Sequence, residues 1–201
     1  EEILKSYRRE EVEKNSQHTN KKADKIQKTL PIYISCEEKS TALALYKREG
    51  IQGMYLNGDA MEACLDEGVS RGMEMYLSLP HIMRGEFPEN LLTGFLVRNL
   101  ETFAILKKAG LAEKCVLDHS MYTWNDEAVD FWIGQHVMRN TVPLELNEGE
   151  IRHRDNQNSE MLIYGYLPLM ISAQCVHKNV YGCNHKEEWV TMKDRYDKEF
   201  T

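Results

Sequence analysis

The sequence predicts an α/β protein with a parallel sheet, and three observations carry that prediction. Short apolar runs of strand length alternate with helix-length segments at a spacing of roughly 20 residues, the pattern of right-handed βα units. Glycines punctuate the ends of helical segments, at Gly50, Gly72 and Gly110. Seven such strand segments follow one another, which favours a barrel over an open sheet. No GxGxxG motif follows the first strand, so the sequence lacks the dinucleotide-binding fingerprint.

Residues 1–29 are densely charged and lose apolar periodicity after Val12. They read as a linker or frayed helix outside the core. From Pro31 onward, residues 30–201 read as one barrel-like domain. PIYISC is the first strand, and residues 40–49 (STALALYKRE) form a helix that stops at Gly50. GMYLN (53–57) is the second strand, followed by a helix over 60–70. MEMYLSLP (73–80) alternates as a third strand, and 81–88 is a polar loop. GFLVRN (94–99) is the fourth strand, with its helix over 100–108. KCVLDHS (114–120) is the fifth, and the helix over 125–135 takes Asn125 as its N-cap. TVPLELN (141–147) is the sixth, with a helical turn over 148–154. MLIYGYLPLMI (161–171) is the seventh. Val97, Val116, Leu144 and Ile163 are the expected core positions.

A chain of 201 residues is long enough for one sizeable core. The net charge of −7 argues against a broad basic surface for nucleic acid. No apolar run approaches the ~20 residues of a membrane helix, so no membrane partner is expected. The first residues, EEILKSYRREEVEK, carry no apolar signal-peptide region, and the missing initial Met points to a piece of a longer protein. Five scattered cysteines, an odd number, are not a secreted disulfide framework, and a reducing cytoplasm is the expected location. Cys36, Cys64 and Cys115 lie in apolar contexts and read as small buried hydrophobes. Oligomeric state is not encoded in any recognisable pattern.

The stretch from Glu160 to Cys183, EMLIYGYLPLMISAQCVHKNVYGC, differs from the rest. An apolar run leads past Pro168 into a polar loop with two thiols, Cys175 and Cys183, and two histidines, His177 and His185. The run YGYLPLMISAQC with its spaced second cysteine resembles the collagenase-like peptidase family U-32. Asp194–Arg195 and the KEF at 198–200 fit the segment that follows the cysteines in many members, and LVRN, VLDHSMYTWN and VPLELN extend the resemblance upstream. It implies a (β/α) barrel of the TIM type, incomplete or with shortened helices, and a hydrolase acting on collagen-like or other peptides. It also implies an alternative, since members that hydroxylate RNA bases or ubiquinone hold a four-iron, four-sulfur cluster on four cysteines. Cys175 and Cys183 match the first two of these and the other two are expected downstream, so the cluster is expected only in a full-length protein. A third reading is a non-catalytic barrel repeat of a larger protein.

In a parallel barrel the C-terminal strand ends line one mouth. Those ends carry Asn57, Arg98, Asn99, Asp118, His119, Glu145, Asn147, Tyr164, Tyr166 and Gln174. Arg98, Glu145 and Asp118 are the catalytic candidates. Arg98 and Glu145 lie in apolar runs, where a charge needs a partner or a ligand, and the two are able to satisfy each other as a buried pair. Asn99, Asn147, Tyr164 and Gln174 are the substrate-binding candidates, for a peptide, an RNA or a small molecule. Asn and Asp at such places also cap helices and close loops. Cys175 and Cys183 are the metal candidates. Three chemistries compete for them: a zinc site, a catalytic thiol with a histidine base, and the iron–sulfur cluster. ISAQC lacks the GxSxG of a serine-hydrolase elbow, so Ser172 reads as a structural hydroxyl.

Overall fold

The structure, a computed structural model, describes residues 30–83, 94–168, 171–182 and 191–200. The chain divides into two compact units, Glu1–Tyr164 and Gly165–Thr201. The expected linker over 1–29 lies outside the described residues.

The first unit alternates strands and helices. In chain order these are β1 (Ile32–Cys36), α1 (Lys39–Leu45), β2 (Ile51–Leu56), α2 (Gly58–Ser70), β3 (Glu74–Ser78), β4 (Gly94–Val97) and α3 (Leu100–Lys108). Then come β5 (Cys115–Leu117), α4 (Asp126–Gly134), β6 (Arg139–Thr141), α5 (Glu148–His153) and β7 (Ser159–Glu160). The seven strands form one sheet in sequence order, β1 to β7, and every neighbouring pair is parallel. The fold is therefore α/β with a seven-stranded parallel sheet. The sheet curls, because Tyr55 on β2 hydrogen-bonds Glu160 on β7 and Arg139 on β6 hydrogen-bonds Tyr33 on β1.

Strand alternation divides the side chains between two faces. Met54, Leu56, Met75, Leu77, Phe95, Val97, Cys115 and Leu117 pack with Ala60, Cys64, Phe103, Leu106 and Trp132 of the helices. A side chain such as Val97 or Leu117, with no exposed surface, contributes about 1.5–3 kcal/mol by its burial. Phe103 of α3 meets Trp132 of α4 edge to face, at 4.9 Å between ring centres. The concave face carries Tyr55, Tyr76, Leu96 and Val116, with Tyr33 and Met138 against them. Room for these rings comes from missing side chains. A Cβ on Gly94 would lie 2.6 Å from both the Tyr76 ring and the Lys114 carbonyl oxygen, and one on Gly53 would lie 2.8 Å from the Tyr33 ring.

Local signals place the helices. Asn57, Asn99, Asn125 and Asn147 each accept a backbone N–H three residues on, and Asn147 with Glu150 completes a capping box. The expected cap at Asn125 is thus present, and the helix expected over 100–108 has those bounds. Gly72 and Gly110 end their helices at φ +75° and +74°, a left-handed geometry that a Cβ disfavours.

The last two strands depart from expectation. The sixth was expected over 141–147 but is Arg139–Thr141, and the seventh was expected over 161–171 but is Ser159–Glu160. The backbone pairing runs through Thr141↔Glu160 and the Val142 N–H to the Glu160 carbonyl, and then meets Pro143, which has no N–H to continue it. Past that point Leu144 lies in a turn, 36% exposed, and Ile163 is 79% exposed, so neither is a core residue. Val97 and Val116 are fully buried as expected, and Val142 and Leu146 fill the core near the turn instead. The fourth and fifth strands end at Val97 and Leu117, three residues short of expectation at the fifth, where a 3-10 turn, His119–Met121, follows.

The second unit contains α6 (Val176–Tyr181) and the antiparallel pair β8 (Met192–Lys193) and β9 (Glu199–Phe200). The Asp194 carboxylate closes the hairpin by accepting the Tyr196 and Lys198 N–H groups at 2.7 and 3.0 Å.

Candidate functional site

Arg98 and Asp118 each follow directly after a strand, so the sheet delivers both to its C-terminal edge. The Asp118 N–H continues the pairing by donating to the Val97 carbonyl at 2.9 Å. Ser120 Oγ donates to the Arg98 carbonyl at 3.1 Å and ties the two connections together. Arg98 Nε then lies 3.2 Å from Asp118 Oδ2. The other carboxylate oxygen, Oδ1, accepts the His119 N–H and the His119 ring Nδ1, both at 2.9 Å. A carboxylate only accepts, so Nδ1 carries the proton and Nε2 is left as the acceptor of the neutral ring.

The electrostatics follow from that geometry. Burial pushes the Asp118 carboxyl up, but the hydrogen bonds and charge of His119 and the Arg98 guanidinium together hold it below the usual carboxylate range. The hydrogen bond to Asp118 raises His119 above the ordinary histidine value; burial opposes this, and the charges of Asp118 and Glu145 support it. His81 lies within electrostatic reach and is lowered, first by burial and then by Arg98. An oriented imidazole beside a buried carboxylate and a guanidinium is equipped to move a proton and to stabilise negative charge.

The other expected residues are placed as follows. Arg98 is paired with Asp118, not with Glu145, which lies exposed in the turn before α5. Asn99 accepts the Thr102 N–H and donates to the carbonyls of Pro80 and His81, so it fastens the β3–β4 connection to α3. The Asn147 side chain is engaged in its capping box. Tyr164 is 88% exposed at the end of the first unit. Tyr166, Gln174 and Cys175 belong to the second unit, where Gln174 bonds Asn179 and Cys175 is an exposed free thiol. Cys183 and His185 lie outside the described residues. Cys64 and Cys115 are buried, as expected, and Cys36 is half-buried.

A second polar cluster lies on the concave face of the sheet. The Arg139 guanidinium lies over the rings of Tyr33 and Tyr76, 4.5 and 5.1 Å from their centres. It donates to Tyr33 Oη at 2.7 Å and lies 3.4 Å from Glu74 and 3.8 Å from Glu160. Tyr33 and Tyr76 both donate to Glu74 Oε2, and Tyr55 donates to Glu160 Oε2 at 2.8 Å. Burial pushes Glu160 above the usual carboxylate range despite these partners. Burial also pushes Glu74 up, but Tyr76, Arg139 and Tyr33 outweigh it and leave it below that range. None of these residues was among the site candidates expected from the sequence. A signal was present: a tyrosine flanked by apolar residues recurs in the first three strands, as IYI, MYL and MYL.

Among the described residues no group of three or more His, Cys, Asp and Glu side chains is arranged to hold a metal ion. Among them, too, no helix is long and apolar enough to cross a membrane. No family model, no curated protein and no solved structure matches the chain.

Proposed function

We propose that the chain is part of a peptidase U-32 family protein, a hydrolase whose site lies at the mouth of a TIM-type barrel. The observation that carries this reading is Asp118, which at the C-terminal edge of the sheet holds Arg98 with one oxygen and orients His119 with the other. Active sites of parallel barrels gather at that edge. The sequence resemblance supplies the substrate class, a collagen-like or other peptide.

In this reading His119 is the general base. Asp118 fixes its tautomer, so that Nε2 takes a proton from the attacking water and later gives it to the leaving amine. Arg98 holds the Asp118 carboxylate and keeps positive charge at the mouth where substrate binds. Cleavage of gelatin or a collagen-derived peptide by full-length protein tests it, with D118N and H119A purified in parallel. Loss of one oriented acid–base group lowers the rate by about 10²–10⁴-fold. Variants that cleave as fast as the parent protein would assign the cleavage to a contaminant and reject the reading.

A second reading, iron–sulfur-dependent hydroxylation of RNA bases or ubiquinone, is favoured by Cys175, whose thiol is exposed while Cys64 and Cys115 are buried. A four-iron cluster needs four thiolates. Of the residues in this chain, Cys175 and Cys183 alone match the pattern, so the donor set here does not fit a complete cluster. Iron content and visible absorbance of full-length protein purified without oxygen decide this reading.

A further inference from the structure

Arg98 is only partly used by the protein. Its side chain is 15% exposed, and its buried Nε lies 3.2 Å from Asp118 Oδ2 as an ion pair without a hydrogen bond. Asp118 in turn has both oxygens engaged, one by Arg98 and one by His119. A guanidinium carries five N–H donors in a planar fork, and one edge of that fork matches a carboxylate in a bidentate pair. A donor buried without a hydrogen bond is costly unless a ligand or a small rearrangement satisfies it, and the Arg98 Nε is such a donor.

A second, independent observation points the same way. Ser78 ends β3 on the face that carries Glu74 and Tyr76, and its Oγ is buried without a hydrogen-bond partner. Ser78 is paired in register with Leu96, and Arg98 follows Leu96 by two residues, on the same face of the sheet. The adjacent strand ends thus place one unpartnered hydroxyl, Ser78 Oγ, and one unpartnered guanidinium donor, Arg98 Nε, on the same face of the sheet at its C-terminal edge.

We infer that Arg98 and Ser78 form a subsite for a carboxylate of the substrate, with the Arg98 guanidinium gripping both oxygens while it stays ion-paired with Asp118. The inference rests on the reading of this mouth as a hydrolase site and narrows its substrates to peptides that present a carboxylate beside the scissile bond. The carboxylate comes either from a peptide C-terminus or from an acidic side chain.

Binding to the full-length protein, measured by titration calorimetry, separates these cases without requiring turnover. The probes are N-acetyl-glycylproline, its C-terminal amide, N-acetyl-aspartic acid α-amide and inorganic phosphate. At least one carboxylate probe binds, and the uncharged amide binds about tenfold or more weakly. Which carboxylate binds tells the terminal source from the side-chain source. R98K keeps a positive charge beside Asp118 and so protects the fold, but loses the fork, and weakens the bound carboxylate about tenfold. S78A weakens it about threefold while leaving the melting temperature within a few degrees. The inference is overturned if neither carboxylate binds, if acid and amide bind equally, if R98K leaves the affinity unchanged, or if phosphate alone binds through Arg98. Carboxylate binding that depends on Arg98 in a protein that cleaves no peptide keeps the subsite and rejects the peptidase. Cleavage with no preference for a carboxylate does the reverse.

Discussion

Tyr55 Oη donates to Glu160 Oε2 at 2.8 Å, joining β2 to β7 across 105 positions of sequence. The two strands are five places apart in the sheet, so the bond exists only because the sheet curls. Arg139 lies between them, with Nη2 3.4 Å from Tyr55 Oη and Nε 3.8 Å from Glu160. The polar cluster is therefore a strap across the concave face, and it holds the short edge strand β7 in place.

Y55F removes the strap's hydroxyl and little else. Tyr55 is 4% exposed, and a buried hydrogen bond to a charged group contributes about 1.5–3 kcal/mol. For a chain of this length that lowers the melting temperature by roughly 3–12 °C, read by circular dichroism. Amide exchange of Val142, whose N–H donates to the Glu160 carbonyl, rises more than that of Val97 in β4.

R139M is costlier. It strips the counter-charge from Glu74 and Glu160 and the stacked cation from Tyr33 and Tyr76. Breaking a largely buried ion pair from one side costs about 3–5 kcal/mol. R139K, which keeps the charge but not the planar fork, loses less. Urea denaturation ranks the three proteins as wild type, R139K, R139M; equal stabilities would show that the cluster carries no folding energy.

The Asp118–His119 pair makes stability depend on pH. Folded His119 holds its proton more tightly than an unfolded histidine, so its contribution is complete below about pH 6.5 and is lost as pH rises through the raised folded value. Asp118 is lowered, so its contribution is complete above about pH 3.9 and is lost as pH falls through the depressed folded value. Both are in place between those limits. The gap in melting temperature between wild type and H119Q is expected to be larger at pH 5.5 than at pH 8.5.

Thiol labelling separates the cysteines. Burial pushes Cys115 up to about 12 and Cys36 up to about 11, and Cys64 is also raised by burial. A disulfide reagent added to the native chain modifies Cys175 ahead of these three, and Cys115 reacts only after unfolding. Peptide mapping of the labelled protein shows the order.

Much of the first unit was determined by local sequence. Apolar runs of strand length placed β1 to β5, and Asn125 and Gly110 bounded helices through hydrogen bonds and backbone angles that act within a few residues. The same local reasoning brought Arg98, Asp118 and His119 to one edge, since each lies next to a strand end. Tertiary structure decided the rest, because those features join residues far apart in the chain. β6 begins on Arg139 and Asn140, polar residues that no apolar pattern would select, because Tyr33, Tyr76 and Arg154 give them partners on the folded sheet. The apolar run after Glu160 looks like a strand, yet Pro143 on its neighbour has no N–H to pair with it. Nor does sequence spacing say that Arg98 pairs with Asp118 and leaves Glu145 in solvent. That choice is made by the parallel register of β4 and β5, which sets the two strand ends side by side.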